Sequence, residues 1–343
     1  MNIRAKLSTT HTVGFLLTPA FSMIAFTAAL EVLRLTNHVL GMKAYTWRLY
    51  SPDGQAIQAS NGLAIAVDGN YGDAGPMSLT IVCSGIDVQK YDHGPLIARL
   101  RKLAFHGVSI GALCTGPYIL ARAGLLNGHR CAIHWENFDS FREQFPDIDA
   151  TQELYEIDRN RFTCAGGTAA IDMMLALVAA EKGSELAGLV SDQLIHHRMR
   201  ASNERQRMEL RARFGISHPK LLAVVDEMGR RLEEPVSCTQ LARIVRLTPR
   251  QLERLFQRYL STSPARYYQQ MRLNRARQLL RQTSMPVLSV GLACGFVSAS
   301  HFSKCYTEHF GRTPTEERKG VSVSRKNVTL MRASCREIST SSS

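Results

Sequence analysis

Long apolar runs are missing from this chain. The longest helical one, Met173 to Ala180, falls far short of the roughly 20 residues that cross a bilayer, which argues against a membrane protein. No leader is evident: the apolar stretch Val13 to Leu17 follows Arg4 and Lys6 but is interrupted by Pro19. None of the eight cysteines stands in CxxC spacing with another, and most have apolar neighbours. They read as reduced packing thiols rather than metal ligands or a disulfide framework, which implies a cytoplasmic setting. Tryptophan occurs only twice, and the first acidic residue is Glu31.

Basic charge is abundant and unevenly placed. The net charge is +13, yet residues 1–198 carry 16 basic and 18 acidic side chains, whereas residues 218–320 carry 17 basic and 8 acidic. Such asymmetry implies that the second half meets a polyanion. At 343 residues two domains are the natural expectation.

The basic half says the same thing twice. Leu241-Ala242, Arg246-Leu247, Thr248 to Leu252, Phe256 and Ser263-Pro264 are answered by Val290-Gly291, Gly295-Phe296, Ser298 to Phe302, Tyr306 and Thr313-Pro314. The offset is 49 before the turn and 50 after it, so the second turn has gained one residue. A repeat of this length is one supersecondary unit used twice. In each copy a short helix with a small inner residue (Ala242, Gly291) leads through a turn to an N-cap, Thr248 or Ser298. The following helices bury Leu252, Leu255, Phe256 and Tyr259, or Phe302, Tyr306 and Phe310. Their other faces carry Arg250, Glu253, Arg254, Gln257 and Arg258, or Ala299, Ser300, His301, Lys304 and Thr307. Such side chains near a helix N-terminus are those that reach base edges in a major groove. Between the copies, Pro264 to Thr283 should form one helix. About 19 residues at about 1.5 Å each span roughly 28 Å, close to the roughly 34 Å between successive major grooves on one face of a duplex. Arg266, Arg272, Arg275 and Lys304 are candidate phosphate contacts.

Residues 218–318 resemble the AraC-type DNA-binding domain. The likeness rests on Leu241-Ala242, Leu252 to Phe256, Ser263-Pro264, Arg272-Leu273, Arg275-Ala276, Gly295-Phe296, His301 to Lys304, Phe310-Gly311 and Pro314. Arg246 departs from it, because the first turn usually has glycine there. A left-handed backbone at that position would cost a non-glycine residue about 1 kcal/mol.

The first half alternates strand-like and helix-like segments. Thr12–Leu17, Tyr45–Tyr50, Leu63–Val67, Leu79–Cys83, Val108–Leu113, Cys131–His134, Tyr155–Asp158 and Arg161–Ala165 read as strands. Ser22–Asn37, Leu96–His106, Pro117–Ala123 and Ala169–Lys182 read as helices. The pattern predicts a flavodoxin-like α/β domain, a parallel sheet with helices on both faces. Val108 to Leu113 runs into Cys114-Thr115-Gly116 and a helix, an elbow with a nucleophile-type side chain at its apex. His134, 20 residues on, is a plausible partner at the carboxyl edge of the sheet, where ligands bind in open α/β folds. Cys114 is open to three readings: packing thiol, pocket wall or nucleophile. His134 is either a core residue or a ligand contact. Trp135 could stack on a cation that Glu136 neutralises.

These residues, with Leu120-Ala121, Ala123 to Leu126, Cys164 to Gly167 and Asp172, resemble the ThiJ/PfpI-type, class I glutamine-amidotransferase-like domain. Fused ahead of an AraC-type domain, they resemble the GlxA-type transcription regulators, over about 310 of 343 residues. Enzymes of the superfamily keep a glutamate on the first helix to hold the cysteine thiolate. Phe21 to Phe26 offers none, which counts against catalysis. The resemblance implies a homodimeric regulator without cofactor, more often an activator, that binds promoter double-stranded DNA, contacts RNA polymerase and answers a small effector. Related regulators respond to glycine betaine, carnitine or arginine, so Cys114, Thr115, His134, Trp135 and Glu136 are the expected pocket. The alternative is a cysteine-dependent hydrolase carrying a DNA-binding tail. The expected plan is a sensing and dimerisation domain over 1–198, a linker over 199–217, the DNA-binding domain over 218–320 and a disordered tail over 321–343.

Overall fold

The structure, a computed structural model, describes residues 10–206 and 218–320. The chain forms two compact units that divide at Leu222. The expected tail and most of the expected linker lie outside the described residues.

In the first unit β1 (His11–Leu17) leads to α1 (Met23–Leu40), β2 (Tyr45–Ser51), β3 (Ile57–Gln58), β4 (Ala64–Ile65), β5 (Gly69–Asn70) and β6 (Leu79–Cys83). Next come α2 (Gly94–Phe105), β7 (Ser109–Leu113), α3 (Gly116–Arg122), β8 (Arg130–Ala132), α4 (Phe138–Gln144) and β9 (Asp149–Thr151). The unit continues with β10 (Tyr155–Asp158), β11 (Arg161–Cys164), α5 (Ala169–Lys182) and α6 (Ser184–Gln193). Seven strands form one sheet in the order β10-β11-β7-β6-β1-β2-β5. All neighbours are parallel except β10 and β11. The expected strand at 63–67 is only β4, paired with β3 in a separate hairpin. The expected strand at 131–134 is β8, which pairs with β9 outside the main sheet.

Alternation along the strands divides the core in two. Phe15 and Leu17 of β1, with Ile81 of β6, pack with α1, α5 and α6 on one face. Leu16 and Val82 turn the other way, toward α2 and α3. This is the period of two that places successive side chains on opposite faces. Helix α1 corrects the sequence reading of apolar runs. Its 18 residues have a mean hydropathy of 1.2, enough by length and composition to cross a membrane. Here Ala25, Phe26, Ala29, Val32 and Leu33 are buried in the core, and Glu31 pairs with Arg34 at the surface.

The second unit begins within α7 (Pro219–Arg230) and continues with α8 (Cys238–Ile244), α9 (Pro249–Leu260), α10 (Pro264–Gln282), α11 (Val287–Ala293), α12 (Ala299–Phe310) and α13 (Pro314–Lys319). Helix α10 is an unbroken 19 residues, roughly 28 Å of rod. Leu273, Ala276, Leu279 and Leu280 of the rod share a core with Val290, Phe296, Phe302 and Tyr306 of the second copy. The connection between α7 and α8 is fixed to both. Tyr268 of the rod donates its hydroxyl proton to the Arg231 carbonyl at 2.5 Å. A Cβ placed on Gly295 would lie 2.6 Å from the Pro235 ring and 2.8 Å from the Leu232 and Glu233 carbonyls. Only glycine admits that approach.

Candidate nucleic-acid interface and effector site

Each reading helix starts where its N-cap dictates. The Thr248 side chain accepts from the Gln251 amide, and the Gln251 side chain returns a bond to Thr248, a reciprocal box with Pro249 at the first helical position. In the second copy Ser298 caps through the His301 amide. Arg246 has φ +54° and Gly295 φ +74°, so both turns pass through the same left-handed backbone. Leu252 and Phe256, and Phe302 and Tyr306, are buried. Arg250, Glu253, Arg254 and Arg258 of α9 and Ala299, Ser300, His301 and Lys304 of α12 are exposed, as is Arg266. The Arg258 guanidinium lies 5.6 Å from the Tyr259 ring centre. The His301 ring is 3.4 Å from the Cys305 thiol.

Arg272 departs from its expected role on phosphate. Its Nε donates to the Cys294 carbonyl at 2.7 Å and its Nη2 to the Gly295 carbonyl at 2.6 Å. Its guanidinium lies 4.1 Å from the Phe296 ring centre. The planar fork thus holds the second turn, a bidentate geometry that arginine can make and lysine cannot. Arg275 is half-buried. Arg277, Arg281 and Arg312 gather around Glu317, whose side chain is 1% exposed.

In the first unit Cys114 sits at the apex between β7 and α3 with φ +61°, a strained backbone for a residue with a side chain. Its amide donates to the Cys164 carbonyl at 3.0 Å, and its own carbonyl accepts from the His134 amide at 3.2 Å. Gly166 makes room for it, because a Cβ there would lie 2.6 Å from the Cys114 Cβ. Burial, with Cys164 nearby, pushes the Cys114 thiol up to about 12. Burial also lowers the pKa of His134, favouring the neutral ring. Both shifts work against a thiolate–imidazolium ion pair. The orienting acid is missing as well: the first turn of α1 has none.

The five expected pocket residues fall on two adjoining loops. Thr115 is buried and its hydroxyl donates to the Gly85 carbonyl at 2.7 Å. His134 and Trp135 are half-buried, with ring centres 5.6 Å apart, and Glu136 is exposed. A separate cavity of about 280 Å³ opens beyond β1 and β2, lined by Pro19, Ala20, Asp53, Gln58 and Tyr91 among others, and by none of those five. Among the described residues no group of three or more His, Cys, Asp or Glu side chains is placed to hold a metal.

Sequence reasoning missed one network. Asp172, whose side chain is fully buried, accepts from the Arg200 amide at 2.8 Å, from Arg200 Nε at 2.9 Å and pairs with His196 Nε2 at 2.9 Å. Residues 199–206, assigned to the linker, are therefore held on the α/β unit. Their charge and polarity read as solvated chain, and nothing local in the sequence marks Asp172 as their anchor.

The family models match accordingly: the DJ-1/PfpI family over residues 11–180 and a helix-turn-helix domain over residues 241–320. The chain is similar to the HTH-type transcriptional regulator GbdR of Pseudomonas aeruginosa, 45% identical over 310 residues that cover 90% of this chain and 84% of the relative. It is 43% identical to the HTH-type transcriptional regulator CdhR of the same organism over 304 residues, 89% of this chain and 90% of the relative. The crystal structure of an AraC family transcriptional regulator from Pseudomonas putida superposes with a TM-score of 0.51 at 31% identity, over 54% of this chain and 99% of that one. The class so defined is a transcriptional regulator with a sensor-like α/β unit and a doubled helix-turn-helix unit. The chain belongs to the AraC-type regulators that carry a DJ-1/PfpI domain ahead of the DNA-binding domain.

Proposed function

We propose that this regulator reads promoter DNA with α9 and α12 together, as a homodimer in the cytoplasm, and activates transcription through RNA polymerase when a small metabolite binds its first unit. The observation that carries the reading is the pair of exposed polar faces, Arg250, Glu253, Arg254 and Arg258 on one helix and Ala299, Ser300, His301 and Lys304 on the other, joined by one unbroken rod. Arg254→Ala is expected to weaken binding by about 1–3 kcal/mol and relax specificity at one position. A footprint and base preference unchanged in that variant would remove α9 from the interface.

The effector is a quaternary ammonium compound or a cationic amino acid, met by Trp135 and Glu136 beside Cys114, Thr115 and His134. Glycine betaine, carnitine, choline or arginine should raise the melting temperature of the full chain by mass action. The cysteine-hydrolase alternative is weakened by the protonated thiol and the missing acid. Turnover of any such compound by the wild type, lost in Cys114→Ala, would restore it.

A further inference from the structure

The segment running out of the first unit, residues 196–206, touches Ile133, next to the His134 loop of the proposed effector site, and the Cys164–Thr168 turn that abuts Cys114. On one side, Arg200 Nη2 donates to the Thr168 hydroxyl at 2.9 Å. Thr168 stands two residues beyond Gly166, whose backbone abuts Cys114. On the same side, the Ala165 amide donates to the Leu154 carbonyl, and the Leu154 amide donates to the Ser202 and Glu204 carbonyls at 3.0 and 3.1 Å. On the other side, Gln206 Nε2 donates to the Ile133 carbonyl at 2.8 Å and to the Glu153 carbonyl at 2.9 Å. Ile133 directly precedes His134. The Cys164–Thr168 turn and the Ile133–His134 loop also meet each other through Cys114, which bonds the backbone of both Cys164 and His134.

The two ends of this strap are held differently. At its start Asp172, with no exposed side-chain surface, fixes His196 and Arg200. At its end Gln206 is held by side-chain hydrogen bonds to two carbonyls, next to a single backbone bridge between Arg205 and Glu153, and the strap contributes no residue to the apolar core. A segment held by polar contacts without apolar burial belongs to the low-stability end of a fold, from which moving elements are drawn. In sequence, eleven residues separate Gln206 from His218 and the DNA-binding unit.

We infer that residues 196–206 form a relay: a ligand seated against Cys114 and His134 shifts the Thr168 and Ile133 loops, and Arg200 and Gln206 pass that shift along the strap toward the DNA-binding unit. The inference rests on the proposed effector site. Asp172 is the fulcrum, and Gln206 is the release point.

The test uses the full-length chain and a DNA duplex selected from random sequence by the wild type. Arg200→Ala would strand the buried Asp172 and risks misfolding, so Gln206→Ala and Arg200→Lys are used, with Arg48→Ala as a surface control. Without additive, Gln206→Ala should keep the melting temperature of the wild type yet change affinity for the duplex about fivefold or more, the lower end of ordinary coupling between sites. Arg48→Ala should leave affinity unchanged. With glycine betaine, carnitine or arginine added, both strap variants should retain the additive's shift in melting temperature while losing most of its effect on DNA affinity. Wild-type DNA affinity in both strap variants, with and without additive, would overturn the relay. Should none of the three additives shift the melting temperature of the wild type, the effector class proposed above fails, and the additive-free arm still decides the relay.

Discussion

The two helix-turn-helix copies have one backbone plan and opposite uses for charge. In the first, Arg250, Arg254, Arg258 and Arg266 all stand exposed around α9 and the start of the rod. In the second, arginine is drawn inward: Arg272 clasps the turn, and Arg277, Arg281 and Arg312 surround Glu317. The position equivalent to Glu317 in the first copy, 50 residues earlier, is Tyr267, which meets Phe256 edge-on at 5.7 Å. One copy thus closes its base with an aromatic pair and the other with a buried carboxylate. The first leaves its cations exposed, where the proposed DNA interface would use them. The second spends them on its own fold and presents a nearly neutral face of Ala299, Ser300 and His301, with Lys304 beside it. The comparison teaches that counting basic residues in a DNA-binding repeat overstates what the DNA can meet.

The sharpest way to break the comparison is Glu317→Ala. Removing the buried partner of three arginines should destabilise the second copy by about 3–5 kcal/mol, visible as early melting of the second unit, whereas Tyr267→Phe should cost far less. Acid should act on the same group. Burial raises the Glu317 pKa, but hydrogen bonds from Arg281 and Arg277 outweigh it, so the folded value lies below that of a free glutamate. Its contribution is therefore complete above about pH 4.3 and fades as pH falls through the lowered folded value. Hydrogen exchange in acid should open α12 and α13 before α9.

Gly295→Ala comes next. The left-handed backbone and the contacts at 2.6–2.8 Å together should cost about 2–3 kcal/mol, read by urea unfolding. Losing a cap should cost about 1 kcal/mol in either copy, with Thr248→Ala above Ser298→Ala because the first also breaks a reciprocal box. The smallest effect is a gain. Arg246→Gly should relieve up to about 1 kcal/mol of left-handed strain, partly offset by the freer unfolded chain. A loss of stability there would mean that the Arg246 side chain contributes more than its backbone costs.

Much of this was legible in the chain itself. Thr248, Ser298 and Pro264 marked helix starts because capping and proline chemistry are local. The rod, the elbow at Cys114 and the sheet strands from Leu79 and Val108 followed from periodicity and from turn residues. Arg272 was misassigned to phosphate because nothing in a basic, glutamine-rich helix tells which arginine faces a neighbouring turn. That is fixed only when Cys294 and Gly295 arrive from 22 and 23 residues away. Residues 199–206 were read as linker for the same reason, since their anchor, Asp172, lies 28 residues before Arg200. The elbow at Cys114 was marked by its turn residues, but the separate cavity beyond β1 and β2 was not legible, because it is assembled from four separate stretches.

The connection between α7 and α8 lies against Tyr268 of the rod and Gly295 of the second turn, so the chain that leads into the first copy is fixed both to the rod and to the second copy. A protein built this way cannot stretch to suit its operator. If both copies read one duplex as proposed, each base pair inserted between the two segments would swing one of them about 34° around the duplex axis, and the protein would have to release one groove or bend the DNA to keep both.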